Sequence, residues 1–138
     1  MNNQTILVVD DEPDFRDLIT YWLQREGYEV ITAGDGLAAL EKARWQPPDL
    51  ILLDLMLPEL DGLSVCEILR RHPTTANIPV IMVTACESAP IRKYGLENGA
   101  RGYLTKPVAQ AELVQWVRSV LRRTFDCGNG DGGKISVP

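Results

Sequence analysis

Residues 49–62 have the sequence DLILLDLMLPELDG, and this stretch decides the fold. Residues 50–53 are all apolar, and so short a run predicts a central parallel strand covered on both faces rather than a buried helix. Asp54 ends the run, and Pro58 and the pair Asp61-Gly62 then turn the chain. The carboxyl ends of strands in an open parallel sheet face a crevice where ligands bind, so we expect Asp54 to point into a site. The alternative is that Asp54 only caps a turn.

The composition limits the classes of function. The 138 residues suffice for one domain with its own core. With 14 basic and 19 acidic residues the net charge is -5, so we expect no direct nucleic acid binding by this chain and no attraction to an anionic membrane. The sequence contains no export signal and no membrane-spanning apolar run, which favours a cytoplasmic protein. Three cysteines without metal-ligand spacing and a single histidine do not favour a zinc site or a disulfide framework.

Five strand patterns alternate with five helical patterns along the chain. Strand-forming runs at residues 6–9, 28–33, 50–53, 80–83 and 103–105 are each followed by a segment of helical character. This alternation predicts a parallel sheet with helices on both faces, joined by right-handed crossovers, in a three-layer α/β domain.

Helical periodicity also predicts which side chains face the core. We expect Asp14 to cap the first helix. The fourth helical segment, residues 89–98, has a poor apolar stripe and is expected to be mobile. The residues expected to face inward are Phe15, Leu18, Ile19, Trp22 and Leu23 in the first helix and Leu37, Leu40 and Ala43 in the second.

The composition changes near the end of the chain. We place the folded domain at residues 1–124. Residues 125–138 are glycine-rich and lose the apolar periodicity, which favours a flexible tail or the start of a linker.

Polar side chains follow four of the five predicted strands at one edge of the sheet. They are Asp10 and Asp11, Asp54, Thr84, and Lys106. Three carboxylates in one crevice repel one another, and a divalent cation such as Mg²⁺ relieves that repulsion. A lysine and a hydroxyl opposite the acids can hold the oxygens of a phosphoryl group on the central carboxylate. The sequence therefore indicates Mg²⁺-dependent acyl phosphate chemistry.

These motifs, in this order and spacing, resemble the receiver domain of response regulators in two-component signalling systems, over about residues 4–123. The resemblance implies a flavodoxin-like, doubly wound (βα)5 fold, a three-layer sandwich with parallel strands in the order 2-1-3-4-5. The matching segments are VVDD at 8–11, Asp54 followed by MLP at 56–58 and DG at 61–62, PVIMVTA at 79–85, and GA at 99–100 leading to YLTKP at 103–107.

The same resemblance implies roles for the acidic residues. Asp54 is the implied phosphoacceptor. Asp11, Asp54 and the backbone carbonyl of Met56 are the implied Mg²⁺ ligands, and Asp10 contributes mainly through water. A domain of this kind is not an enzyme acting on an external substrate, because it catalyses only its own Mg²⁺-dependent phosphorylation and dephosphorylation.

A switch is implied as well. Thr84 and Lys106 would contact the phosphoryl group, and the Lys106-Pro107 peptide bond is expected to be cis. Phosphorylation would pull Thr84 toward the phosphate and let Tyr103 swing inward, which remodels the face formed by the fourth helix, the fifth strand and the fifth helix.

The resemblance also implies partners. They are a sensor histidine kinase or a phosphotransfer protein, together with an output domain or a second copy of the chain that docks on the switching face. Many DNA-binding members of the family carry two acids just before the aromatic residue. This chain has Arg101-Gly102 there, which leaves the usual cross-dimer ion pairs without their acids.

Other functions are open at this point. A flavodoxin-type FMN carrier needs a loop rich in Ser, Thr and Gly after the first strand, where this chain has acids. An Asp-nucleophile phosphatase of the haloacid dehalogenase kind needs a second Asp two residues after its nucleophile, which residues 10–13 lack. A degenerate receiver would act as a phosphorylation-independent protein-interaction module.

Cys86 is either a redox-sensitive thiol beside the site or an incidental small residue.

Overall fold

The computed structural model describes residues 4–126, and the side chains of residues 4–122. Strands and helices alternate strictly along this part of the chain. The strands are β1 (Thr5–Val9), β2 (Glu29–Ala33), β3 (Leu50–Leu53), β4 (Val80–Thr84) and β5 (Ala100–Thr105). The helices are α1 (Pro13–Arg25), α2 (Gly36–Trp45), α3 (Gly62–Arg71), α4 (Ala89–Glu97) and α5 (Gln110–Asp126).

The five strands form one parallel sheet in the order β2-β1-β3-β4-β5, which confirms the predicted topology. Every residue of β3 and β4 is buried, as a strand covered on both faces requires. The register pairs Val9 with Ala33 on one side and with Leu53 on the other. The residues that follow β1 and β3 therefore leave the sheet side by side.

The core lies on both faces of the sheet, and the strand residues alternate between the two faces. Ile6 and Val8 belong to a buried cluster that includes residues of α1 and α5. Leu7 and Val9 belong to a second buried cluster, with residues of α2 and α3. This arrangement is the predicted three-layer α/β sandwich. Among the helices described, none is both long and apolar enough to span a lipid bilayer.

Two inward-facing predictions are wrong. Leu18 of α1 is 44% exposed, because α1 packs on the sheet through Ile19 and Leu23 and the neighbouring position points sideways. Leu37 of α2 is 65% exposed, because the buried stripe of α2 consists of small residues such as Ala39 and Ala43. Small residues let a helix lie close to the sheet, so its larger apolar side chains are left at the margin.

The helix ends correct two further expectations. Glu12 is the N-cap of α1 and makes no side-chain capping bond, so Asp14 is not the cap. Pro13 supplies the start instead, because its fixed φ suits the first helical position. The last helix continues to Asp126, past the expected boundary at 124, and residues 127–138 of the expected tail lie outside the described residues.

Candidate functional site

Three carboxylates meet at the carboxyl edge of the sheet. Asp10 and Asp11 follow β1 and Asp54 follows β3, and one carboxylate oxygen of each lies within 4.8 Å of the others. Asp10 is 1% exposed and Asp54 is 4% exposed, whereas Asp11 is exposed to solvent. The strand-end prediction thus brings the three acids together, two at the base of the site and one at its rim.

Backbone amides hold the two buried carboxylates in place. Asp10 Oδ1 accepts a hydrogen bond from the Glu12 amide at 2.9 Å, and Asp54 Oδ1 accepts one from the Met56 amide at 2.9 Å. Each carboxylate therefore bonds to the chain two residues further on, a local turn typical of Asp. The Met56 side chain is 62% exposed, so Met56 contributes to this arrangement through its backbone amide.

Lys106, which follows β5, reaches across the sheet edge to the acids. Its Nζ lies 2.7 Å from Asp10 Oδ2, 3.2 Å from Asp54 Oδ2 and 3.7 Å from Glu12 Oε1. The same ammonium lies 4.2 Å from the centroid of the Phe15 ring, which covers it with an apolar surface. The Lys106-Pro107 peptide bond is cis, as expected.

The electrostatics of the site reflect an excess of negative charge. Burial raises the pKa of Asp10, and the charge of Asp54 adds to that effect, despite the hydrogen bonds from Lys106 and the Glu12 amide. Burial works against the charge of Lys106, yet the bond to Asp10 and the charges of Asp54 and Asp10 raise the pKa of its ammonium. Three carboxylates against one lysine leave room for a further cation.

The donor set fits a hard divalent ion. All three groups offer carboxylate oxygens, which suit Mg²⁺ better than softer metals, and the exposed Asp11 leaves one side of the cluster open to solvent.

Thr84 lies at the end of β4, next to β5. It is fully buried, and its backbone carbonyl accepts a hydrogen bond from the Lys106 amide at 2.8 Å, which fixes the two strand ends to each other. Its Oγ1 accepts a hydrogen bond from the Cys86 amide at 3.3 Å. The predicted hydroxyl and the predicted ammonium therefore lie at the ends of neighbouring strands, at the same edge of the sheet.

Tyr103 of β5 is connected to the same loop. Its ring is only 6% exposed, and its hydroxyl donates to the Cys86 carbonyl at 2.8 Å. The Arg92 guanidinium of α4 lies 5.6 Å from the ring centroid. Burial, together with the bond to Cys86, raises the pKa of Tyr103 to about 12.

Three features of the site were missed in the sequence. Phe15 packs against the core as predicted, but its ring also covers Lys106, which the sequence did not indicate. Arg16 donates a hydrogen bond to the backbone carbonyl of Asp10 at 2.7 Å. A charged residue on an amphipathic helix is normally expected to face solvent, so the sequence did not indicate this bond. The backbone of Cys86 bonds both Thr84 and Tyr103, and no side-chain pattern reveals a backbone role.

Gly62 at the start of α3 permits the close approach of that helix to the site. A Cβ atom there would collide with the carbonyl oxygen of Asp54 and lie 2.7 Å from the Cα of Leu55. The glycine after Asp61, quoted above as a turn signal, is therefore also a packing requirement.

The doubly wound α/β fold, with acids and a lysine at the carboxyl edge of its sheet, is the arrangement expected of a receiver domain. The comparisons with known proteins agree with this class. A family model of the response regulator receiver domain matches residues 6–118. The alkaline phosphatase synthesis transcriptional regulatory protein PhoP of Bacillus subtilis (strain 168) is 48% identical over 122 residues, 88% of this chain and 50% of PhoP. The DNA-binding dual master transcriptional regulator RpaA of Synechocystis is 46% identical over 119 residues, 86% of this chain and 49% of RpaA.

A solved structure is also similar. The receiver domain of the Francisella response regulator 1452 superposes with a TM-score of 0.82 at 35% identity, covering 88% of this chain and 99% of that domain. The chain therefore belongs to the response regulator receiver domain family. It spans about half the length of the curated relatives that it matches.

Proposed function

We propose that the chain is the phospho-receiver of a two-component phosphorelay, in which Asp54 accepts a phosphoryl group from a sensor histidine kinase or a phosphotransfer protein. The observation that carries this proposal is the position of the Lys106 ammonium, 2.7 Å from Asp10 and 3.2 Å from Asp54. A fixed cation beside a carboxylate nucleophile supplies charge where the transferred phosphoryl group needs it.

The chemistry follows from the placement of these groups. An oxygen of Asp54 attacks the phosphorus of a phosphohistidine, the P–N bond breaks, and the leaving imidazole takes up a proton while Asp54 becomes an acyl phosphate. Lys106 and the Thr84 hydroxyl donate to the phosphoryl oxygens. Asp10, Asp11, Asp54 and the backbone carbonyl of Met56 would hold Mg²⁺, which when bound neutralises charge on the phosphoryl oxygens. Water later hydrolyses the acyl phosphate, so the chain catalyses reactions only on itself.

The proposed switch uses the loop after β4. Thr84 and Tyr103 are both bonded to the backbone of Cys86, so a displacement of Thr84 toward a phosphoryl group on Asp54 also moves the carbonyl that holds Tyr103. Because the Tyr103 ring is buried in this structure, the switch is a shift in population between this inward position and an outward one. Arg92 lies over the ring and carries the change to the surface of α4.

The output surface is the face formed by α4, β5 and α5. On this face the Trp116 ring of α5 lies against Gly102, where a Cβ atom would come within 2.5 Å of the indole. Arg101-Gly102, which stands where many DNA-binding members of the family have two acids, thus occurs together with a bulky aromatic residue on the adjoining helix. A homodimer through this face, or docking of an output domain such as those of the DNA-binding relatives, completes the proposal.

The test is intact-mass analysis after incubation with acetyl phosphate and Mg²⁺. The wild-type chain should gain one phosphate, and both Asp54→Asn and a Mg²⁺-free sample should gain none. Asp17→Asn is the matched control, because Asp17 is an exposed aspartate on α1 outside the cluster and its loss should leave the adduct unchanged.

Failure of the wild-type chain to gain a phosphate, with Mg²⁺ binding shown by calorimetry, would contradict the proposal. That result would favour a phosphorylation-independent interaction module.

A further inference from the structure

The outer surface of α2 and α3 carries an apolar groove that the proposed phosphorelay does not use. Its volume is about 470 Å³, in the range of clefts that bind small molecules. The apolar lining comes from Leu37, Leu40 and Trp45 of α2 and from Ile68 and Leu69 of α3. The groove shares no residue with the acidic cluster described above.

Two large apolar side chains stand at the rim of this groove. Trp45 is 79% exposed and Leu37 is 65% exposed, the two largest exposures among the large hydrophobic residues of the described chain. They are about two helical turns apart, and both border the groove on the outward face of α2. A projecting indole beside a groove that can receive one makes this surface a candidate for self-association, because a two-fold interface uses the same patch on both copies.

The charges along α2 favour a second copy as the occupant. Glu41 and Arg44 both line the groove, and both are exposed with no salt bridge among the described residues. If two α2 helices pack antiparallel, Glu41 of each copy faces Arg44 of the other. The same register places Trp45 opposite Leu40 of the second copy, since both pairs are symmetric about the point between Lys42 and Ala43. Apolar and ionic complementarity are therefore satisfied by one arrangement.

We infer that this chain forms a symmetric dimer through the α2–α3 groove, with Trp45 of each copy seated in the groove of the other. The dimer is expected without phosphorylation of Asp54, because the groove is already formed in the unphosphorylated chain. The groove residues are fewer than the roughly 20–30 a side of a standard interface, so the expected dissociation constant is micromolar or weaker.

The first experiment is sedimentation equilibrium of the full chain from micromolar to near-millimolar concentration, without phosphodonor. The wild-type chain should dimerise reversibly, and its tryptophan emission should shift to shorter wavelength as the concentration rises. Trp45→Ala should weaken the dimer by about tenfold or more, because buried tryptophans carry much of the affinity of an interface. Tyr21→Ala is the matched control, since Tyr21 is a 57% exposed aromatic on α1 and should have no effect.

Charge reversal tests the register. Glu41→Arg should weaken the dimer by about tenfold at low salt, because it sets arginines opposite arginines. The double variant Glu41→Arg/Arg44→Glu exchanges the two charges within each copy and should restore the wild-type dissociation constant. Leu96→Glu, on the exposed side of α4, should leave the dimer intact and so exclude the α4–β5–α5 face. Circular dichroism confirms that each variant is folded.

A chain that is monomeric at all concentrations would overturn the inference. A dimer that survives Trp45→Ala, or one that the double reversal does not restore, would overturn it equally. None of these results depends on phosphate uptake by Asp54, so the inference and the proposed function can fail separately.

Discussion

Replacement of Gly62 by alanine should destabilise the protein, although alanine is normally the better helix residue. The added Cβ would collide with the carbonyl oxygen of Asp54 and would lie 2.7 Å from the Cα of Leu55. Both contacts are with backbone, which cannot rotate away, so α3 or the loop after β3 must shift. Overpacking of this kind costs about 1–3 kcal/mol, whereas alanine returns only a fraction of the about 1 kcal/mol that it is worth in a helix interior, because Gly62 is the first residue of α3. We expect a net loss of about 1–2 kcal/mol.

Gly95→Ala is the matched control. Gly95 is buried within α4, but a Cβ there would find its nearest atom, Leu63 Cδ2, at 3.7 Å, an ordinary contact. This variant should therefore gain about 0.5–1 kcal/mol from helix preference alone. Urea unfolding monitored by circular dichroism measures both values. In thermal unfolding the midpoint of Gly62→Ala should fall by about 2–8 °C, at about 2–4 °C for each kcal/mol.

The Gly62 substitution should also slow phosphate uptake, because the shifted backbone belongs to Asp54. Equal or greater stability of Gly62→Ala relative to the wild-type chain would refute the reasoning from close packing. A loss of the same size in Gly95→Ala would refute it as well, since the cause would then be the removal of glycine and not the collision.

Two further predictions concern titration and metal binding. The pKa of Tyr103 is raised to about 12, so between pH 10 and 12 the unfolded chain loses this phenolic proton while the folded chain keeps it. The free energy of unfolding in urea should therefore fall as the pH rises over that range. The fall should be smaller in Tyr103→Phe, which has no phenolic proton to lose. Mg²⁺ at about 100 times its dissociation constant should stabilise the wild-type chain by about 2.7 kcal/mol. Asp11→Asn removes an exposed carboxylate from the cluster, so without Mg²⁺ this variant should be more stable than the wild-type chain. Added Mg²⁺ should raise its free energy of unfolding only slightly. An equal rise in both proteins would exclude Asp11 as a ligand.

The sequence predicted the fold because its central strands are uniformly apolar. Runs such as residues 50–53 and 80–83 are too short for a buried helix and are typical of strands buried on both faces, and their ends then fix where Asp54 and Thr84 lie. The convergence of Asp10, Asp11, Asp54 and Lys106 followed from parallel topology alone, because each residue lies within two positions of the end of a strand.

Side-chain packing was predicted less well. Periodicity treats every apolar residue on a helix stripe alike, so Leu18 and Leu37 were placed in the core although smaller or more central neighbours fill it. The cover of Phe15 over Lys106 and the bond of Arg16 to the Asp10 carbonyl depend on the distance between α1 and β1. That distance is set by the whole core and is not encoded in a local pattern.

The backbone of Cys86 limits how strongly the site can control its surface. The Thr84 hydroxyl accepts from the Cys86 amide, which leaves its own proton free to donate, so in the proposed switch a bond to a phosphoryl oxygen could exist together with this one. The Cys86 carbonyl then holds Tyr103 through one hydrogen bond, worth about 0.5–1.5 kcal/mol, whereas a shift from 1:99 to 99:1 needs about 5.5 kcal/mol. This link alone can change the ratio of ring positions by only about 2-fold to 12-fold, and repacking must supply the rest. Tyr103→Phe keeps the ring and removes the bond. With beryllofluoride, which mimics a phosphoryl group on an aspartate, the ratio of inward to outward ring measured by NMR should be lower in Tyr103→Phe than in the wild-type chain by about that factor. An unchanged ratio would exclude the Cys86 carbonyl as the connection.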